Sequence, residues 1–310
     1  MTTPVPLHPT KRQLRARQRA KQGRSAVTPL LFVAPAFVVY AAFLLYPLGR
    51  AVQFSFFRWD TISPAVFVGF GNYVEMFANE KLRSSFVHSG VLILFYLVIP
   101  LILGLVISAI LNRAQVRALG FFRSVIFLPQ VIAMVVVAVA WRQLYSSAGS
   151  INRFLDLIGL GSLARAWLGD YTFALPAIGL IGTWIETGLV TILLLAGMAR
   201  IPRELYEAAR LDGAGAVAEF FAITLPAVRG EIVVAATLTL VAALKNFDVI
   251  YMTTAGGPGN STSVPSYQVY AQAFGQGQVG MATTIGVTLA ALIFLVNLVL
   301  NRVGDKAVAN

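Results

Sequence analysis

The sequence predicts an all-α fold, a polytopic membrane protein with six transmembrane helices, and three observations carry that prediction. Hydrophobic residues make up 57% of the 310 and charged residues only 12%, about half the charge of an average soluble domain. Six apolar stretches approach the ~20 residues needed to cross about 30 Å of hydrocarbon. The 24 Lys and Arg outnumber the 13 Asp and Glu, giving a net charge of +11, and they gather between alternate stretches, as cations on the cytoplasmic side of a membrane do. Cysteine is absent, which excludes disulfides, thiolate metal sites and a cysteine nucleophile.

The six stretches run roughly from Thr28 to Gly49, Val87 to Leu111, Phe121 to Trp141, Phe173 to Ala199, Glu231 to Tyr251 and Gly280 to Leu300. The first contains Pro35 and Pro47 and is followed by no small-residue cleavage site, so it is expected to stay as an anchor. The chain therefore divides into a basic tail, 1–28, and a transmembrane domain, 29–310. Sixteen Lys and Arg fall on the side of the two termini and seven on the other, with Lys245 inside a span, so both termini are expected in the cytoplasm. The tail lacks interleaved aromatics and runs directly into a span. It is read as a topology signal that touches lipid headgroups, with no nucleic-acid partner. In the outer loops Trp59, Phe67, Phe70, Tyr73 and Trp167 are either interfacial anchors or a partner-docking surface.

The inner loop after the fourth stretch, 200–231, reads as a helix pair. Pro202 opens an amphipathic run from Arg203 to Leu211, Gly213 can take positive φ, and Val217, Phe220, Phe221 and Ile223 form a second apolar stripe. Ala208, Ala209, Ala214, Gly215, Ala216 and Ala218 are small enough to admit another backbone closely. Glu207-Ala208-Ala209, three residues, Gly213, nine residues, then Ile223-Thr224-Leu225-Pro226 resembles the "EAA" loop of membrane permeases in binding-protein-dependent ATP-binding-cassette importers. Asp212-Gly213-Ala214, Phe247-Asp248, Thr254-Ala255-Gly256-Gly257-Pro258, Phe121-Phe122-Arg123-Ser124 and Gly149-Ser150-Ile151-Asn152 resemble the carbohydrate branch of that family, whose type case is the larger maltose permease subunit. The likeness covers about 87–301.

That resemblance implies a type I importer permease fold in a bacterial inner membrane. It also implies a second permease subunit, two ATPase subunits that carry ATP and Mg, and an extracytoplasmic solute-binding protein. Glu207, Ala208, Ala209, Asp212 and Gly213 would then couple ATPase closure to the transmembrane helices. The chain itself has no Gly-x-x-x-x-Gly-Lys-Ser/Thr phosphate loop and is expected to hold no cofactor and no catalytic residue. Its Gly-x-Gly-x-x-Gly segment at 275–280 and the Ala-ended forms at 159–164 and 213–218 follow no predicted strand and are assigned to loops and caps. His8 and His88 stand far apart without a carboxylate cluster, so no metal site is expected.

An ionisable group near the bilayer centre costs about 2.5–3.5 kcal/mol on insertion scales and needs an account. Gly182, Ile185, Glu186 and Leu189 share one face of the fourth span, and by resemblance that face lines the solute pathway. Glu186 either accepts hydrogen bonds from solute hydroxyls or makes a structural bond between helices. In the fifth span Thr239, Ala243 and Asn246 share a face that the resemblance places at the same pathway, although Ala243 stands where the maltose-type site has a polar residue. Lys245 and Asp248, three apart, are expected to neutralise each other, and Asn297 is a weaker pathway candidate. The uncharged outer loop 253–280 reads as too flexible for an ordinary helix, either part of an outer gate or binding-protein dock, or a plain turn. The expected cargo is a sugar or polyol, and the alternative is a proton-coupled secondary transporter that uses Glu186 with Lys245 and Asp248.

Overall fold

The computed structural model describes residues 27–113 and 118–309; the basic tail through Ala26 lies outside the described residues. The described residues fall into two compact units, divided between Gln53 and Phe54. In the first, α1 (Val27–Tyr40), a π turn (Ala41–Leu45) and the start of α2 (Tyr46–Ser55) form one apolar rod. Residues 31–55 are long enough to cross a membrane.

The second unit opens with a short antiparallel pair, β1 (Phe57–Arg58) and β2 (Val66–Phe67), in which Phe57 faces Phe67. The helix α3 (Gly71–Ala78) follows. Its buried Asn72 donates Nδ2 to the carbonyls of Ser55 and Phe57, both at 2.9 Å, and so knits this outer segment without a hydrophobic core of its own. The second span is α4 (Glu80–Ile93), a π turn (Leu94–Val98) and α5 (Ile99–Arg113). It starts about two turns earlier than the apolar pattern alone suggests, because Asn79 accepts the backbone N–H groups of Lys81 and Leu82 and caps the helix there.

The third predicted span is not one straight helix. It is α6 (Leu119–Val131) followed by α7 (Met134–Leu144), bent by 94°. Pro129 supplies no N–H, and Ile132 and Ala133 carry ψ values of 135° and 131°, so the ladder stops and restarts two residues later. In the outer loop beyond it, α8 (Ser150–Leu157) is held by Asn152, which donates to the Arg165 carbonyl at 2.8 Å and accepts from the Trp167 indole at 2.8 Å.

The fourth span, α9 (Ala174–Met198), is the axis of this unit and is buried along most of its length. Two glycines explain how. A Cβ at Gly182 would overlap the Tyr96 ring, and one at Gly188 would meet the Ile126 carbonyl of α6, so each absence of a side chain lets a neighbour close to contact. The largest core cluster joins Leu92, Tyr96, Val137, Ile178, Ile181, Ile185, Ala243 and Ile250, drawn from four spans.

After the inner helix pair, α10 (Arg203–Leu211) with α11 (Ala216–Glu219), a π turn (Phe220–Thr224) and α12 (Leu225–Ala227), the fifth span runs through α13 (Arg229–Leu244) and α14 (Asp248–Thr253). The predicted Lys245–Asp248 pair does not form: the helix ends at Leu244 and restarts at Asp248. That interruption destroys the three-residue helical spacing, and both side chains point to the exterior with no ion pair among the described residues. The same break places Asn246 off the helix, so it does not continue the face of Thr239 and Ala243 in helical register.

The glycine-rich outer loop is more than the plain turn that was one of its readings. Positive φ at Gly256 and Gly259 turns the chain back, Thr262 and Ser263 are fully buried, and α15 (Pro265–Tyr270) with a π turn (Ala271–Gly275) packs over α4 before the last helix, α16 (Val279–Ala309). Glycine frequency marked the turns, whereas the burial of the polar residues between them is what orders the segment.

Candidate functional site

Two places gather the residues singled out by sequence. The first lies inside the transmembrane helices. Gly182, Ile185, Glu186 and Leu189 occupy one stretch of α9, with Ile185 in the main core and Glu186 only 4% exposed. Its Oε2 has no hydrogen-bond partner among the described residues. Tyr96, in the π turn of the second span, packs on Gly182, one helical turn before Glu186 on the same face. The π turn also leaves the Phe95 carbonyl to accept from the Thr183 hydroxyl at 2.6 Å, which clamps the second span to the fourth.

Asn246, 7% exposed, donates Nδ2 to the Tyr96 hydroxyl at 2.8 Å. The structure therefore brings Glu186, Tyr96 and Asn246 into one enclosed polar cluster drawn from three spans. Thr239 stays out of it, since its hydroxyl donates back to the Ala235 carbonyl at 2.9 Å in its own helix, and Ala243 is core. Asn297 likewise donates to its own helix, to Ile293 at 2.9 Å, with its Oδ1 unpartnered. Tyr96 was not singled out in the sequence, where the one signal was a lone phenol in an otherwise apolar run. In this conformation the cluster is closed, so any solute reaching it requires the helices to part.

On another side of α9 the bend of the third span opens a cleft of about 650 Å³. Trp141, Tyr145, Trp167, Phe173 and Trp184 line it, with the Trp141 and Trp184 rings edge to face at 5.6 Å. It is almost wholly apolar, because the hydroxyls of Thr183 and Thr187 on its wall are spent on backbone carbonyls. Sequence spacing did not show it, since these rings come from three separate segments.

The second place is the inner helix pair. Gly213 has φ +83° and its N–H is accepted by the Arg210 carbonyl at 3.0 Å, closing α10 with the turn that glycine best permits. Glu207, Ala208, Asp212 and Gly213 are exposed and Ala209 is half-buried, while Leu211 stands 90% exposed. That is an unusual position for leucine in a folded chain and leaves a small-residue surface with an apolar tip facing outward.

Behind this surface the pair is pinned in three places. Glu219, 4% exposed, accepts from Arg210 Nε at 2.8 Å and from Arg113 at 3.3 Å, so the pair is tied to the inner end of the second span. These charge-assisted bonds, that from Arg210 foremost, hold the Glu219 carboxyl below its ordinary value, and the bond to Glu219 raises the Arg210 guanidinium. Tyr206 and Thr224 share a hydroxyl contact at 2.9 Å, and Arg200 meets Glu231 at 2.5 Å across the loop ends. The helix pair is thus tied by polar links to the inner end of the second span, while Arg200 and Glu231 tie the inner ends of the fourth and fifth spans to each other. No group of metal-ligating side chains occurs among the described residues.

Comparison with known proteins agrees with this architecture. The family of binding-protein-dependent transport system inner membrane components matches residues 101–307. The probable ABC transporter permease protein YurN of Bacillus subtilis is 36% identical over 286 residues, spanning 91% of this chain and 96% of that one. The diacetylchitobiose uptake system permease protein NgcF of Streptomyces coelicolor is 33% identical over 287 residues, spanning 86% and 81%. Among solved structures, the bacterial alginate ABC transporter in complex with an alginate pentasaccharide-bound periplasmic protein aligns at a TM-score of 0.77 and 22% identity, covering 93% of this chain and 97% of that one.

Proposed function

The chain belongs to the family of binding-protein-dependent transport system inner membrane components, and from that premise we propose how its two sites divide the work of importing a sugar or oligosaccharide. It is a multi-pass permease subunit of an ATP-binding-cassette importer, a transport component and not an enzyme. A solute-binding protein delivers cargo to the outer loops, a second permease completes the pathway, and two ATPase subunits supply ATP and Mg chemistry from the cytoplasm. Both termini lie on the cytoplasmic side.

The observation that carries this reading is the inner helix pair, rigid behind and exposed in front. Ala208 and Gly213 allow a partner backbone to approach, Glu207 and Asp212 supply charge at its rim, and the Glu219 clip carries motion inward. ATPase closure displaces α10, and the second span, which carries Tyr96 against Gly182 and Asn246, follows through Arg113. Parting of these helices uncovers Glu186, whose carboxylate accepts from solute hydroxyls, while Asn246 offers both a donor and an acceptor. Sugar cargo is supported by the diacetylchitobiose permease among the relatives.

Reconstitution tests it. Proteoliposomes containing this chain with its second permease, ATPases and loaded binding protein should take up sugar only with ATP present. Uptake by this chain alone, driven by a pH gradient, would sink the importer reading in favour of a proton-coupled carrier.

A further inference from the structure

At the inner membrane boundary a groove of about 730 Å³ separates the ends of α5, α6 and α9 from the helix pair. Its outer wall is apolar. Val106 and Ile110 are 51% and 60% exposed and lie with Arg113 at i, i+4 and i+7, so an exposed greasy helix face ends in a guanidinium. Across the groove stand Val217 and Phe221, both exposed.

Its inner rim is cationic. Arg113, Arg123, Arg203 and Arg210 line it against Glu207 and Glu219, which leaves a formal charge of +2. Glu219 already engages Arg113 and Arg210. Arg123 and Arg203 have no carboxylate within ion-pair distance among the described residues. Two guanidinium groups without an ion-pair partner thus line one groove whose opposite wall is apolar.

We propose that this groove binds an anionic phospholipid of the cytoplasmic leaflet. Arg123 and Arg203 hold the phosphate through paired N–H donors, and an acyl chain lies along Val106 and Ile110. Charge and shape select the occupant: the net +2 fits a headgroup of net negative charge better than one whose phosphate is neutralised by its own ammonium, and the trough runs outward along α5, the direction a leaflet chain takes. Because α10 forms one wall, a bound lipid would brace the helix pair from the membrane side, a property independent of what is transported.

The test is native mass spectrometry of the purified full chain in detergent, offered equal amounts of phosphatidylglycerol and phosphatidylcholine with identical acyl chains. Phosphatidylglycerol should be retained about tenfold more. The double variant Arg123→Gln with Arg203→Gln should lose that preference to within about twofold. Arg123→Lys with Arg203→Lys, which keeps the charge, should retain part of it and so guards against simple misfolding. Arg83→Gln with Arg153→Gln, predicted on the outer side, should leave it intact. Equal retention of both lipids, or unchanged preference in the double Gln variant, overturns the proposal. So does displacement of the lipid by inorganic phosphate, which would mark a site for a free anion. A lipid-free dimer peak would mean that a second copy covers the groove, and would overturn it as well.

Discussion

Arg210 Nε donates to Glu219 Oε1 at 2.8 Å across the Gly213 turn, so the two short helices of the inner loop are clasped by a bond nine residues apart in sequence. The acceptor is buried while the donor is half exposed, which makes the carboxylate the member whose loss is felt. Glu219→Gln keeps the shape and removes the charge. Hydrogen exchange across 203–211 should quicken about 5- to 30-fold, corresponding to roughly 1–2 kcal/mol of local stability. Unchanged exchange would show that the clasp contributes nothing.

The same clasp sets a pH dependence. Glu219 has its pKa lowered in the folded protein, first by the Arg210 bond. A lowered carboxyl contributes stability that is complete above its ordinary value and is lost as pH falls through the folded one. Protection of 203–211, corrected for intrinsic chemical exchange, should therefore stay level from pH 8 down to about 5 and decline only in more acidic buffer. A decline centred near neutrality would assign the control of this loop to another group.

Gly213→Pro replaces φ +83° with a ring fixed near −65° and deletes the N–H that Arg210 accepts. Local destabilisation of about 3 kcal/mol is expected, with membrane insertion intact and ATP-driven uptake abolished. Glu207→Lys, at an exposed position, should leave the fold unchanged and weaken ATPase binding at least tenfold, since it reverses a charge on the face proposed to dock the ATPase. Pull-down of the ATPase by both variants checks this, and normal assembly in both would count against coupling through this loop.

Glu186→Gln separates a solute contact from a structural one. As a solute contact, its loss should lower sugar uptake about tenfold, roughly 1.4 kcal/mol, while thermal stability and assembly stay as in the parent chain. A falling melting temperature with unchanged uptake affinity would assign Glu186 to helix packing.

Gly182→Ala should be costly out of proportion to its size, because the added methyl overlaps the Tyr96 ring. Overpacking of this kind costs about 1–3 kcal/mol. It should also push Tyr96 off Asn246, so Gly182→Ala combined with Tyr96→Ala should recover part of the lost stability in a thermal melt. An uncoupled, additive double variant would show that the two residues do not press on one another.

The apolar spans, six if the bent pair is one, and the inner helix pair were legible in the amino-acid order because each rests on local rules. Apolar length sets spans, and Pro202 and Gly213 bound a short helix. The 94° bend was not legible, since Pro129 is tolerated inside many membrane helices and only the packing of α6 on α9 decides where the ladder stops. Asn246 was assigned to a helical face that ends two residues before it, an error of the kind that boundaries invite. The Lys245–Asp248 pair failed for the same reason.

What the sequence by itself determined is therefore the class of molecule and one inner-loop motif: a very apolar chain, an excess of cations over anions, and a Glu-Ala-Ala loop closed by glycine. The tertiary structure alone decided which polar groups meet. Tyr96 joins Asn246 across 150 residues, and Glu219 joins Arg113 across 106. No local pattern encodes either meeting. In a membrane the apolar side chains are content almost anywhere, so the partners are chosen by where small residues let helices approach and where a buried hydrogen-bonding group must find its match.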